Sequence, residues 1–171
     1  MEVRSVEAIV RALNGGGVRY LIVGGLAVNA HGFERMTRDI DLVIQLDPGN
    51  CSRGLRVLID IGYQLAIPET PESFADPIKR AFWRKEKNMI ALKLWSDKHR
   101  RTPVDIFVYE PFSFDEEYAR SVSFEVADGV SARVVSLEAL LAMKREAARP
   151  RDLEDINELE RCQRLSCEDH S

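Results

Sequence analysis

The segment over residues 39–46 places the strongest constraint on how this chain folds. Ile40, Leu42 and Ile44 occupy every second position, and Asp39, Asp41 and Val43 occupy the positions between them. Successive side chains of a strand point to opposite faces, so the pattern predicts a strand with one apolar face and both carboxylates on the other. Like charges this close repel each other, and a divalent cation relieves the repulsion. The alternative interpretation is a solvated pair of acids at a strand end.

A third acid, Asp105, lies in a short apolar segment, residues 104–109, that predicts another strand. Its neighbours Val104 and Ile106 are both apolar and β-branched. A carboxylate in such a strand is unfavourable unless it is paired with a cation or bound to a metal. Because Mg²⁺ prefers carboxylates, waters and substrate phosphates as ligands, we predict a magnesium site formed by Asp39, Asp41 and Asp105.

The dipeptide Gly24-Gly25 follows a predicted buried strand over residues 18–23 and precedes a predicted helix over residues 26–32. A turn of this kind presents backbone N–H groups and the positive end of a helix, which together favour a phosphate. The second glycine lies 14 and 16 residues before Asp39 and Asp41. Phosphate and metal could therefore share one cleft. The alternative interpretation is a tight turn without a ligand.

Basic and polar residues elsewhere supply further candidates. The loop before the paired acids contains Arg35, Thr37 and Arg38, and its arginines suit nucleotide phosphates or, alternatively, simple surface solvation. Lys144 lies in a predicted helix and Asp152 near the start of the next one. Spacing alone predicts a solvent-facing lysine and an acid that interacts with the helix dipole.

The remaining patterns predict an α/β (α+β) protein with a mixed central sheet flanked by helices. Predicted helices cover residues 5–14, a segment that ends at Gly62, residues 136–148, and a last segment that begins at Pro150. Predicted strands cover residues 63–67, 122–126 and 132–135, with a hairpin over 80–86 and 89–95 and a loop over 70–77. The strands do not alternate regularly with helices, which favours a mixed sheet over a parallel one.

The length of 171 residues suits one compact unit, with a core over residues 1–135 and a C-terminal helical segment, residues 136–171, packed on it. No apolar segment approaches the roughly 20 residues of a membrane-spanning helix, and the N-terminus lacks the apolar region of a signal peptide. Three cysteines form no disulfide framework and agree with a reducing compartment. We therefore expect a cytoplasmic protein without a membrane partner.

Charge is distributed unevenly along the chain. Residues 79–101 contain nine Lys and Arg against two acids, or +7, so the remainder holds 15 basic and 26 acidic residues, or −11. A basic segment with a tryptophan on an acidic protein could bind a polyanion such as RNA. The alternative interpretation is the solvated face of the predicted hairpin.

These residues together resemble the DNA polymerase β-type nucleotidyltransferases. The resemblance lies in Gly24-Gly25, in Arg-Met-Thr-Arg-Asp-Ile-Asp-Leu over residues 35–42, and in Val-Asp-Ile over residues 104–106. Within that superfamily the chain is similar to the AbiEii-like group, known as toxins of toxin–antitoxin and phage-abortive systems. Residues 136–144 and 149–156 resemble the C-terminal pattern of that group. One departure is Gly25, where the superfamily often has serine.

The resemblance implies a nucleotidyltransferase that moves a nucleoside monophosphate from an NTP to a hydroxyl group of RNA or protein and releases pyrophosphate. Asp39 and Asp41 would hold Mg²⁺ on the triphosphate, and Asp105 would share a second Mg²⁺ and accept the proton of the attacking hydroxyl. Lys144 would neutralise phosphate charge and Asp152 would position it. The implied nucleotide-binding residues also include Gly24, Gly25, Arg35, Thr37 and Arg38. A cognate antitoxin would be a partner.

Two other functions remain open from the sequence. The first is a non-catalytic module that binds a nucleotide or a partner protein. The second is an antibiotic nucleotidyltransferase, which uses the same chemistry. An acid-rich pocket would suit a cationic aminoglycoside, whereas the basic segment over residues 79–101 would suit an RNA acceptor.

Overall fold

The computed structural model describes residues 1–168, which form seven strands and eight helices. The strands are β1 (Tyr20–Val23), β2 (Ile40–Ile44), β3 (Gln64–Leu65), β4 (Ala91–Trp95), β5 (Val104–Phe107), β6 (Val122–Ala127) and β7 (Val130–Val134). The helices are α1 (Val3–Gly15), α2 (Gly24–Ala30), α3 (Pro48–Asp60), α4 (Pro71–Ala75), α5 (Pro77–Glu86), α6 (Phe114–Arg120), α7 (Leu137–Ala147) and α8 (Pro150–Glu168).

All seven strands form one mixed sheet in the order β3-β4-β5-β2-β1-β7-β6. Strand β2 pairs with β1 in antiparallel and with β5 in parallel orientation, and β7 pairs in parallel with β1. The remaining pairs are antiparallel. The predicted fold class, a mixed central sheet flanked by helices, is confirmed.

Helices α1 and α3 pack against each other below the sheet, where α1 also contacts β6 and β7 and α3 contacts β2. Apolar residues recur at helical spacing in α1, and Ile9, Val10 and Leu13 are fully buried. Ile40 and Leu42 of β2 are also fully buried. The apolar face of the segment with the two acids therefore lies in the core, as its alternation predicts.

Asn50 in the first turn of α3 joins the ends of β1 and β2. Its side chain is buried and accepts a hydrogen bond from Arg19 N at 2.9 Å. It also donates to Arg19 O at 3.0 Å and Gln45 O at 2.9 Å. A buried amide whose donors and acceptor are all bonded fixes local geometry instead of destabilising it. The helix is capped in turn by Asp47, which accepts from Asn50 N at 3.0 Å.

Two predicted elements are wrong, and both errors concern helix starts. Residues 70–77 contain α4 instead of a loop, and residues 80–86 belong to α5 instead of a hairpin strand. In each case an N-cap residue precedes a proline in the first turn: the Thr70 hydroxyl accepts from Ser73 N, and the Asp76 carboxylate accepts from Ile78 N. This pairing of a cap with a first-turn proline is a strong helix-start signal. The short helix α6 is also absent from the prediction.

The basic segment over residues 79–101 consequently does not form the face of a hairpin. It covers most of α5, the strand β4 and the turn that follows β4. Its members have different surroundings: Arg80 is buried and donates to Leu46 O at 3.3 Å, whereas Lys85 and Lys98 are exposed. The interpretation as a uniformly solvated hairpin face is therefore wrong.

The C-terminal helices pack on the core beside α2. Helix α7 contacts α2 and α8, and Leu140, Ile156 and Leu159 are buried. Ser136 caps the start of α7, since its hydroxyl accepts from Ala139 N at 3.2 Å. The last three residues of the predicted segment 136–171 lie outside the described residues. Among residues 1–168, no helix is long and apolar enough to cross a membrane.

The burial of α8 predicts that it unfolds together with the core. Leu159 is 1% exposed and Leu153, on the same helix, is 53% exposed. We expect Leu159→Ala to lower the free energy of unfolding by about 2–5 kcal/mol and Leu153→Ala to change it by less than about 0.5 kcal/mol. Urea unfolding followed by tryptophan fluorescence and by circular dichroism measures both. An early loss of helix signal with an unchanged fluorescence transition would contradict this prediction.

Candidate active site

The pairing of three strands aligns one row of polar residues on the face of the sheet that α1 and α3 do not cover. Asp41 of β2 lies directly opposite Asp105 of β5, and Asp105 lies directly opposite Lys93 of β4. Directly paired residues of neighbouring strands project to the same face with Cβ atoms about 5 Å apart. The structure therefore brings Asp41 and Asp105 together. Asp39 immediately precedes β2 and is close enough to Asp41 to affect its charge.

Gly24 makes room for the carboxylate of Asp41. A Cβ atom at position 24 would lie 1.9 Å from Asp41 Oδ2 and 2.7 Å from Asp41 Cγ. Gly24 also has a φ angle of +64°, in the left-handed region that other residues adopt only with strain. Both the backbone angle and the close approach therefore require glycine, which places its backbone directly beside the carboxylate.

Thr37 accounts for the second glycine of the turn. A Cβ atom at position 25 would lie 2.4 Å from Thr37 Oγ1 and 2.8 Å from Thr37 Cβ. The Thr37 side chain is buried. Its hydroxyl thus lies in the space that a serine side chain at position 25 would occupy. Where related proteins often have a serine hydroxyl at position 25, this chain has the Thr37 hydroxyl, which comes from the loop before β2.

The carboxylate of Asp41 is electrostatically unfavourable in its charged form. Burial raises its pKa, and the nearby charges of Asp39 and Asp105 raise it further, to about 7. Arg149 and Lys144 act in the opposite direction but do not offset these effects. A half-buried acid among other acids is stabilised by a bound cation, so the surroundings of Asp41 favour cation binding.

A cavity of about 650 Å³ opens beside these acids. Five of the predicted site residues line it, namely Gly24, Asp41, Asp105, Lys144 and Asp152. Five others do not, namely Gly25, Arg35, Thr37, Arg38 and Asp39. The volume lies in the range of small-molecule sites. The part of the cavity beyond the acids is lined by Arg84, Met89, Ile90, Phe107, Tyr109 and Met143.

The donor set fits a hard divalent cation in its chemistry, since Asp39, Asp41 and Asp105 offer only carboxylate oxygens. Among the side chains that the structure describes, those of residues 1–165, no group of three Asp, Glu, His or Cys is already placed to hold a metal ion. Asp105 instead accepts a hydrogen bond from Lys93 Nζ at 3.0 Å through Oδ2. This bond and the neighbouring acids also raise the pKa of Lys93.

A buried charge network forms the opposite wall of the cavity. Lys144 Nζ donates to Asp155 Oδ2 at 2.6 Å and to Asp152 Oδ1 at 3.3 Å, and all three side chains are buried. Arg149 Nε donates to Asp152 Oδ2 at 2.7 Å. Burial alone raises the pKa of Asp152, but the hydrogen bond from Arg149 and the charge of Lys144 outweigh it, so the pKa lies below its ordinary value. The solvent-facing lysine that spacing predicts is wrong, because Lys144 is buried. Asp152 does lie in the first turn of α8, as predicted, and it also pairs with Lys144 and Arg149.

Arg35 joins the same network through Asp155. It forms a two-pronged ion pair with Asp155, with Nε to Oδ1 at 2.5 Å and Nη2 to Oδ2 at 2.8 Å. Arg151 Nη2 donates to Met36 O, also in the loop before β2. These contacts tie the loop that contains Thr37 to helix α8. The predicted role of Arg35 as a nucleotide ligand stays a prediction, as does that of the exposed Arg38.

Several side chains of the site were not among the residues predicted from the sequence. Lys93 could not be predicted, because alternation in β4 indicates which face of the sheet it lies on but not which strand lies beside it. Asp155 lies three residues after Asp152 on α8, a spacing that places two residues on one helix face and could have suggested it. Arg84 lies 4.5 Å from the ring centre of Tyr109, a contact between distant segments that sequence spacing cannot predict.

The solved structures that this chain resembles include antibiotic nucleotidyltransferases. The lincosamide antibiotic adenylyltransferase LnuA, with lincomycin bound, has a TM-score of 0.61 at 17% identity over 92% of this chain and 95% of that chain. ANT(2")-Ia in complex with adenylyl-2"-tobramycin has a TM-score of 0.57 at 14% identity over 99% and 98%. An antigenic nucleotidyltransferase-like protein from Paracoccidioides brasiliensis has a TM-score of 0.57 at 19% identity over 92% and 75%. At these identities the likeness shows the fold alone.

A match to a family model identifies the chain as a nucleotidyltransferase. The family model described as nucleotidyl transferase AbiEii toxin, type IV TA system, matches residues 9–169. This chain therefore belongs to the AbiEii nucleotidyltransferase family, an enzyme family of toxin–antitoxin systems, and the resemblance noted in the sequence is confirmed. Among curated protein sequences, none matches it significantly.

Replacement of Gly24 tests the contact with Asp41 against a matched glycine. Gly17 has a φ of +61° and nothing within 4 Å of an added Cβ, so Gly17→Ala should cost only the backbone strain of about 1–2 kcal/mol. Gly24→Ala should cost about 1–3 kcal/mol more, because the added methyl overpacks against Asp41. Chemical denaturation of both variants gives the comparison. Equal losses would show that Asp41 moves aside freely.

The raised pKa of Asp41 predicts how stability depends on pH without metal. The folded protein binds this proton more tightly than the unfolded chain, so the free energy of unfolding falls as pH rises from 3.8 to about 7. Asp41→Asn removes that fall. In EDTA, its melting temperature should therefore exceed that of the wild type by a margin that grows up to pH 7. Asp128→Asn, in an exposed turn, is the control, and a margin that stays constant with pH would contradict the assignment.

Proposed function

We propose that this AbiEii-family enzyme is a magnesium-dependent nucleotidyltransferase that transfers a nucleoside monophosphate from an NTP to a hydroxyl of RNA. One observation carries the proposal: Asp41 and Asp105 are in register beside Gly24, and Lys144 and Arg149 line the same cavity. Anionic ligands for a metal and cationic partners for a triphosphate thus border the same space. This combination is what phosphoryl transfer requires.

The carboxylates of Asp39, Asp41 and Asp105 would hold the magnesium ions. When bound, Mg²⁺ neutralises triphosphate charge and stabilises the entering and leaving oxygens. The raised pKa of Asp41 supports this assignment, because a bound cation would relieve the repulsion among the acids. Asp105, the acid on the side of Lys93, would accept the proton of the attacking hydroxyl through a carboxylate oxygen. The hydroxyl oxygen bonds to the α-phosphorus as pyrophosphate leaves with the electrons of the broken bond.

The triphosphate would lie against Lys144 and Arg149. The network around them contains Arg35, Lys144 and Arg149 against Asp152 and Asp155, so three positive charges face two negative ones. The Arg149 side chain is 76% exposed and can turn from Asp152 to a phosphate at small cost. Lys144 is held in place by its two carboxylates. The backbone of Gly24 offers a close approach to the same space. Gly25, Thr37 and Arg38 stay predicted nucleotide ligands.

The acceptor would enter from the side of β4 and α5. Lys93 and Arg84 line that part of the cavity, and Lys85 and Lys87 are exposed on and just after α5. Positive charge at the entrance favours a polyanionic acceptor over a cationic one. It therefore supports RNA over an aminoglycoside, although two of the similar structures contain an antibiotic or an adenylylated antibiotic. An acceptor protein would need an acidic surface to bind the same residues.

The biological setting follows from the family. We infer that the enzyme is the toxin of a two-gene toxin–antitoxin or phage-defence system, works in the cytoplasm and is opposed by a cognate antitoxin. The family description, a type IV system, supports an antitoxin as a partner.

Label transfer tests the proposed reaction directly. Purified protein, Mg²⁺, each α-labelled NTP and total RNA should yield labelled RNA and pyrophosphate. Asp39→Asn, Asp41→Asn and Asp105→Asn should each lower the rate by more than about 100-fold, because each removes a metal ligand. Asp128→Asn should retain full activity, since Asp128 lies in the exposed turn between β6 and β7.

The other outcomes separate the alternatives. Label on protein instead of RNA would exclude an RNA acceptor and leave nucleotidyl transfer intact. Tight NTP binding without transfer to any acceptor, unchanged in Asp41→Asn, would favour a non-catalytic nucleotide-binding module. Transfer that continues in EDTA would contradict the dependence on metal.

A further inference from the structure

Lys93 is the one cation in direct contact with a predicted metal ligand among residues 1–168. Its ammonium nitrogen lies 3.0 Å from Asp105 Oδ2, across the pairing of β4 with β5. The two side chains differ in environment, because Asp105 is 14% exposed and Lys93 is 70% exposed. The bond thus links an enclosed carboxylate to a side chain that can leave it for solvent.

An ammonium and a divalent cation compete for the same carboxylate oxygen. Lysine has three donors and no acceptor, so in its charged form it cannot join a metal as a ligand. A metal bound by Asp105 would also repel an ammonium at hydrogen-bond distance. While Lys93 holds Oδ2, that oxygen is committed to an internal partner, which agrees with the absence of a ready three-acid site in the described residues.

We propose that Lys93 is a positioning residue that competes with the second metal ion for Asp105. This inference rests on the proposed function, since it requires Asp105 to be a metal ligand. In the metal-free protein, Lys93 neutralises and orients Asp105 in place of the cation. When the metal occupies Asp105, the freed ammonium lies at the entrance used by the acceptor and can bind an acceptor phosphate. The metal site would therefore be completed only after Lys93 withdraws.

The bond also offsets part of the repulsion among the three acids before any metal binds. Lys93 faces Asp105 from β4, while the positive charges of Arg149 and Lys144 act on Asp41. The row of acids is thus bordered by cations on both sides. The two borders differ in that Lys144 is buried between two carboxylates, whereas Lys93 has Asp105 as its one ion-pair partner among the described residues.

Binding of Mn²⁺, followed by electron paramagnetic resonance without nucleotide or acceptor, tests the proposal. Lys93→Met keeps the length of the side chain and removes its charge, and the exposed position tolerates it. The Kd of the weaker Mn²⁺ site should fall by up to about fivefold, the range for loss of a partly exposed ion pair. Lys93→Arg should retain the weak binding of the wild type. Lys98→Met, beyond the end of β4, controls for net charge and should change nothing.

A double-mutant cycle separates a local effect from a general one. If Lys93 acts through Asp105, the gain from Lys93→Met should vanish in the Asp105→Asn background. An unchanged Kd in Lys93→Met would overturn the proposal, and so would a gain that persists in Asp105→Asn. Absence of Mn²⁺ binding to every variant, with or without NTP, would overturn the metal site of the proposed function and this inference with it. If Mn²⁺ binds with the same Kd in wild type and Lys93→Met, the inference about Lys93 is overturned but the metal site of the proposed function is not.

Discussion

The parallel pairing of β2 with β5 determines most of what this site can do. It aligns Asp41 with Asp105 at the centre of the sheet, where the opposite face is buried. At this position the carboxylate of Asp41 loses hydration and is repelled by the neighbouring acids, and both effects raise its pKa, to about 7. A fold that keeps this register must supply positive charge, and the surrounding elements do so. Lys93 comes from β4, which pairs with β5, and Lys144 comes from helix α7.

The C-terminal helices complete the site as well as the core. Asp155 of α8 accepts hydrogen bonds from Lys144 and from Arg35, so a single buried carboxylate joins α7, α8 and the loop before β2. Breaking one member of such a network leaves a buried charge uncompensated, which is strongly destabilising. The loop that carries Thr37 and leads to Asp39 is thereby joined to α8. The residues proposed to bind the triphosphate therefore also join the elements of the fold.

Much of this arrangement could be predicted from the sequence, for identifiable reasons. Alternation in residues 39–46 predicted the central strand and the common face of its acids, because period two is a local property. The helix over residues 80–86 was missed because its apolar content is low, although Asp76 and Pro77 signal its start. The partners of Lys93, Asp155 and Arg35 depend on contacts between distant segments, which no local pattern encodes. The roles of Lys144 and Asp152 came from the resemblance and not from spacing.

The central claim is that Asp39, Asp41 and Asp105 hold divalent metal on a bound triphosphate. A crystal structure with Mn²⁺ and an NTP analogue that cannot be cleaved between the α- and β-phosphates would test it most directly. We expect anomalous scattering from Mn²⁺ within ligand distance of these carboxylates and of the phosphates, with Lys144 and Arg149 facing the triphosphate. A nucleotide bound in the cavity without Mn²⁺ at the carboxylates, or Mn²⁺ bound elsewhere on the protein, would contradict it.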